Sequence, residues 1–219
     1  MRLAPLLALA LLVAAALWLW DSWTVYPLKL LVVHFHESGH ALATWLAGGR
    51  VDSIAVDFAQ GGVTRSRVPA GLFPHVLVAS GGYLGSMGFG AGILYWAGRS
   101  ASGKPVLEGL AAFLVVALGL WARDGFTIFF TAAMALLFAV LARVLPPKWS
   151  RITALFLGVF SALYALWDIR DDLILRQSSR SDAGVLAAAT GIPALFWAVL
   201  WLGLACLVLW LALRKSALR

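Results

Sequence analysis

Residues Tyr26–Ala47 read YPLKLLVVHFHESGHALATWLA, with His36-Glu37-Ser38-Gly39-His40 at the centre of the run. On a helix, His-Glu-x-x-His places two imidazoles one turn apart on one face. There they can grip a single zinc ion, with the glutamate beside them as general base. The run has the length of a membrane span, and burying ionisable groups in lipid is costly, so His36, Glu37 and His40 are functional candidates. A zinc site at that depth implies hydrolysis inside the bilayer. The chain holds four histidines. A shuffled chain of this composition would contain the pattern about once in two thousand trials.

The rest of the composition agrees with a membrane setting. Of 219 residues, 62% are hydrophobic and 12% charged, with a mean hydropathy of +0.90. That leaves too little polar side chain to clothe a water-facing surface. The sequence predicts an all-α polytopic membrane protein, a single integral membrane domain over 1–219, with about seven transmembrane helices. The spans are Leu3–Trp20, Val25–Ala47, Leu72–Ala97, Pro105–Ala122, Phe126–Leu145, Ile152–Ile174 and Ile192–Leu213. The first ends in Trp18-Leu19-Trp20 with no small-residue cleavage site, and is read as an uncleaved span rather than a signal peptide.

The net charge of +7 belongs to span ends, where Lys and Arg meet anionic head groups of the lipid bilayer. No nucleic-acid function is read from it. With seven spans the cations divide eight against nine between the two sides, so the positive-inside rule sets no orientation. Cys206 is the lone cysteine; it can form no intramolecular disulfide and is read as packing.

Between the second and third spans, Val51–Phe58 alternates polar and apolar residues, Gly61-Gly62 can turn, and Val63–Val68 follows. This predicts a short membrane-associated β-hairpin after the second helix. It is either a polar connector or an edge strand that pairs with an extended substrate. The third span carries Gly81, Gly82, Gly85, Gly88, Gly90 and Gly92, spacing that lets helices approach closely, and is expected against the His-bearing helix. Ser181-Asp182 reads as the cap of a short helix Ala183–Thr190.

A catalytic zinc usually has three protein ligands and one water. Candidates for the third are His34, His75, Asp124, Asp168, Asp171, Asp172 and Asp182. His40 should lie about 10 Å below the surface where the second span exits, and Asp168 about 9 Å below the same surface. Asp168 is therefore the leading third ligand beside His36 and His40, with Asp172 and Asp124 as the alternatives. Asp182 is expected outside the core. His34 should point about 160° away from His36.

The His36–His40 motif, then Gly61-Gly62-Val63-Thr64, then Ser80-Gly81-Gly82-Tyr83-Leu84-Gly85, resembles the site-2 protease group of intramembrane zinc metallopeptidases. In particular the chain looks like the compact branch without a PDZ domain, whose pattern also includes the Trp167–Leu173 and Ser181–Ala183 segments. The likeness covers most of the chain, with a metallopeptidase-like core at about 25–201. It departs from better-known members, whose third ligand lies in Asn-Pro-Asp-Gly or Leu-Asp-Gly. Here the Asp-Gly pair is Asp124-Gly125, preceded by Ala122-Arg123. The resemblance implies Zn2+ as cofactor, Glu37 as catalytic base, transmembrane protein substrates, and a multi-pass protein of the bacterial inner membrane. The expected function is zinc-dependent endoproteolysis of transmembrane segments. The alternative is a non-proteolytic membrane protein that keeps a metal site for structure, metal handling or partner-helix binding.

Overall fold

The computed structural model describes residues 3–170 and 181–216. The chain forms α1 (Leu3–Trp18), α2 (Tyr26–Leu46), β1 (Arg50–Val56), β2 (Gly62–Arg67), α3 (Leu72–Arg99), α4 (Lys104–Trp121), α5 (Gly125–Val144), α6 (Pro147–Arg170), α7 (Asp182–Thr190) and α8 (Ala194–Ser216). The protein is thus mostly helical, with one antiparallel hairpin after its second helix. Each anticipated span falls on a helix where it is described; residues 171–174 of the sixth lie outside the described residues. Among the described residues, α3, α4, α5, α6 and α8 are long and apolar enough to cross a membrane. The other two stand outside that set for physical reasons. Helix α1 has only 16 residues, and α2 contains Lys29, His34, His36, Glu37 and His40, which lower its hydropathy.

Helix ends follow local chemistry. Pro27 lies at the start of α2 and Pro105 at the start of α4, where a missing N–H costs nothing. The Asp124 carboxylate accepts from Thr127 N at 2.9 Å and caps α5. Ser181 Oγ accepts from Gly184 N at 3.2 Å and caps α7. Gly191, at φ 73°, ends α7 in the left-handed conformation that suits glycine.

Helix α2 is enclosed by protein, with 13 of its 21 residues buried. It packs along α3, with the hairpin and α6 also against it. The α2–α3 contact runs through glycines: a Cβ at Gly39 would collide with the Gly81 carbonyl, and one at Gly85 with Gly39 Cα. The glycine-rich third helix therefore does press against the His-bearing helix. Farther along α3, Gly90 meets the backbone of Ala162 on α6 in the same way. The outer faces are apolar, with Phe129 71% and Val199 62% exposed. Lipid accepts such faces where water would not.

The hairpin lies alongside α2 instead of leaving it. Tyr26 Oη, in the first turn of α2, donates to Phe58 O at 3.0 Å, whereas Thr44 near the other end donates to Ser66 Oγ at 3.2 Å. The pairing runs from Arg50↔Arg67 to Val56↔Gly62, with an irregularity between Val51 and Ser53. The turn is built by Asp57, whose Oδ1 accepts from Ala59 N and Gly61 N at 2.8 and 2.9 Å, and by Gln60 at φ 62°. Strand β1 is held on both sides: β2 pairs one edge, and on the other Ile54 bridges to Ala122 and Val56 N donates to Thr127 Oγ1 at 2.9 Å. Among the described residues, strand β2 has β1 as its only strand neighbour.

Candidate metal centre

The two histidines of α2 meet as their spacing requires, with Nε2 to Nε2 at 3.0 Å. His40 is oriented by α3, its Nδ1 2.7 Å from Val78 O. A carbonyl can only accept, so Nδ1 carries a proton, and the neutral form of the ring offers Nε2 to a cation. His36 stands edge-on to the Tyr83 ring at 4.8 Å. Tyr83 rests on Trp201 of α8 at 5.0 Å, and Trp201 Nε1 donates to Ser80 Oγ at 3.0 Å. Helices α3 and α8 thus form the wall behind the imidazoles.

A carboxylate oxygen completes the group. Asp182, the first residue of α7, holds Oδ2 3.3 Å from His36 Nε2 and 3.2 Å from His40 Nε2. This corrects the expectation that Asp182 lies outside the core. The linear depth count ran the chain out of the membrane after α6, but α7 packs back against α3 and α8. Asp168, expected in that place, sits elsewhere. Its Oδ2 is 3.8 Å from His36 Nδ1, the nitrogen on the far side of the ring from His40. Asp168 thus comes near His36, but at the nitrogen that faces away from His40.

The other candidates are accounted for. Asp124 caps α5; burial opposes its charge, yet the hydrogen bonds from Thr127 hold its carboxyl below the usual range. His34 points away from the pair as expected, with Nε2 3.1 Å from Thr131 Oγ1. Exposed His75 lies 2.7 Å from Gly71 O through Nδ1. Asp171 and Asp172 lie outside the described residues.

Glu37 is buried beside the imidazoles, one carboxylate oxygen and one nitrogen of each ring lying within 4.8 Å of one another. Thr64 Oγ1 of β2 stands 2.8 Å from Glu37 Oε2 and 2.9 Å from Glu37 O. Two glycines make the room. A Cβ at Gly82 would fall against Nε2 of both histidines, and one at Gly62 against the Glu37 carboxylate. Reading the glycines of α3 as packing alone overlooked Gly82, although its place within Ser80-Gly81-Gly82-Tyr83 was a signal. Ser181-Asp182-Ala183 was the corresponding signal for Asp182.

A cavity of about 830 Å³ lies over this group, lined by Glu37, Asp168, Asp182, His36 and His40, by β2, and by Gln60 and His75. The donor set fits a metal. Two ligands about 2.0–2.1 Å from a tetrahedral zinc lie about 3.3 Å apart. The three separations here are 3.0, 3.3 and 3.2 Å. Glu37 is the poorer third donor, because Thr64 already engages its carboxylate.

No curated protein and no solved structure matches the chain. A family model described as Peptidase M50B-like, of the site-2 protease group, matches residues 9–212. The chain therefore belongs to the Peptidase M50B-like family of membrane metallopeptidases.

Proposed function

We propose that this protein is a zinc-dependent intramembrane endopeptidase that cleaves transmembrane segments of other membrane proteins, with zinc held by His36, His40 and Asp182. The observation that carries this reading is the triangle of two Nε2 atoms and one carboxylate oxygen at zinc-ligand spacing. A structural zinc is closed by four protein ligands, whereas a catalytic one keeps a position for water. Here Gly82, with no side chain, leaves space beside the donors, and the cavity meets them. When bound, the zinc supplies Lewis acidity, which brings a water towards ionisation near neutral pH.

The chain's own residues do the rest. The Glu37 carboxylate accepts the proton as the water oxygen attacks the peptide carbonyl. It returns that proton to the leaving nitrogen as the C–N bond breaks. Thr64 fixes the carboxylate in place, and the cavity admits water to a site inside the membrane domain.

Strand β2 orients the substrate in this account. Its Gly62, Val63, Thr64 and Ser66 line the cavity, and among the described residues one of its edges has no strand partner. A backbone edge at membrane depth is tolerated where it lines a water-filled space. A locally unwound substrate segment would supply the missing partners by strand addition. The bilayer presents the substrate laterally, and the fold and family place the protein in a membrane as a multi-pass protein.

The test is cleavage of a model transmembrane substrate by purified protein in lipid, with zinc content measured in parallel. Wild type should cleave, and Glu37→Gln should retain zinc and lose cleavage by at least about a hundredfold, because the amide cannot accept the proton. Equal cleavage by both proteins would contradict the mechanism.

A further inference from the structure

The two imidazoles that face Asp182 are supported differently on their far sides. His40 Nδ1 has the Val78 carbonyl at 2.7 Å. His36 Nδ1 is buried and has no hydrogen-bond partner among the described residues. That matters once the ring serves as a ligand. A neutral imidazole that offers Nε2 to a cation must carry its proton on Nδ1. Buried donors are nearly always paired, so an orphaned N–H there calls for an explanation.

The charged group facing that nitrogen is Asp168, on the last turn of α6, with Oδ2 at 3.8 Å. This is an ion-pair distance, about 1 Å longer than a hydrogen bond. The side chain is 29% exposed and lines the cavity. Asp168 cannot share one ion with both Nε2 atoms from there, because the His36 ring stands between.

Resting on the zinc reading above, we propose that Asp168 is a positioning residue for the metal centre. On metal loading its carboxylate takes the His36 Nδ1 proton in a hydrogen bond, fixes the ring's tautomer and tilt, and raises the basicity of Nε2. Carboxylates placed behind ligating histidines act in this way, and their loss lowers metal affinity by about 10–100-fold. The centre is then asymmetric. His40 is backed by a neutral carbonyl of α3, and His36 by a charge from α6, so the end of α6 is tied to metal affinity.

The test is zinc affinity by chelator competition, together with melting temperature with and without zinc, for the full chain in detergent. Wild type, Asp168→Asn, Asp168→Glu and Asp182→Asn are compared. Asp168→Asn should bind one zinc at saturation with an affinity about 10–100-fold weaker than wild type. Without zinc it should melt as wild type does, and its zinc-induced rise in melting temperature should be smaller. Asp168→Glu, which keeps the charge, should recover much of the affinity, and Asp182→Asn should bind far more weakly than either. An Asp168→Asn protein with wild-type affinity overturns the proposal and leaves the zinc reading intact. So does loss of zinc from Asp168→Asn with retention in Asp182→Asn, which would make Asp168 the ligand. A wild-type chain that takes up no zinc overturns both.

Discussion

Thr64 and Glu37 are joined across the hairpin–helix contact, with the Thr64 hydroxyl 2.8 Å from Glu37 Oε2 and 2.9 Å from the main-chain oxygen of the same residue. A strand that lines the cavity thus reaches the proposed base directly. Under the proposed strand addition, binding a peptide along β2 and aiming the carboxylate are coupled. Thr64→Val keeps the shape and removes the donor. It should leave zinc binding unchanged and lower kcat on the order of 10–100-fold, as expected when a catalytic group loses its alignment. Steady-state kinetics in lipid nanodiscs checks this; an unchanged kcat would show that the hydroxyl does not orient the base.

Gly82 should behave as part of the metal centre. A methyl group at this position meets Nε2 of both histidines, whereas one at Gly88 on the same helix meets open space. Gly82→Ala should therefore lose zinc while Gly88→Ala retains it, as read by metal analysis of folded, size-selected protein. Full zinc occupancy in Gly82→Ala would place the ion away from that face of α3.

The close α2–α3 crossing predicts a stability effect separate from chemistry. A Cβ at Gly81 would lie 2.6 Å from Ala43 Cβ and 2.8 Å from Gly39 O, while one at Gly92 meets nothing. Gly81→Ala should destabilise the fold by about 1–3 kcal/mol, the usual cost of overpacking. Gly92→Ala should be neutral or slightly favourable. Thermal unfolding in detergent separates them, and equal melting temperatures would contradict the packing account.

Strand addition makes a prediction on the substrate side. Proline lacks the N–H that a ladder needs. Scanned through the residues flanking the scissile bond, proline should lower kcat/KM at alternate positions, with a period of two. Uniform tolerance, or a period near 3.6, would argue that the substrate stays helical against β2.

Much of the site was legible because its signals are local. Residues four apart on a helix must share a face, so His36 and His40 meet wherever α2 goes. Alternation and paired glycines marked the hairpin, and Ser181 with Gly191 bounded α7. The third acidic group was harder, because its place depends on where a short helix packs. Counting residues from a membrane surface assumes that the chain leaves and stays out. Helix α7 folds back between the chain's own helices, and no periodicity in nine residues reports that. Counting residues brought Asp168 near the histidines, but such a count does not fix which ring nitrogen a carboxylate faces. Likewise, the glycines of α3 announce close packing, yet only coordinates tell Gly82, beside the imidazoles, from Gly81, beside a backbone.

The most direct test of the central claim is zinc stoichiometry in purified full-length protein, with Asp182→Ala and Asp124→Ala measured beside wild type. Asp182 Oδ2 lies at both Nε2 atoms, and Asp124 is occupied as the cap of α5. Wild type and Asp124→Ala should hold about one zinc per chain, and Asp182→Ala should lose it under the same wash, since a catalytic site has few ligands to spare. Asp182→Ala protein that keeps its zinc with wild-type affinity would contradict the metal centre described here.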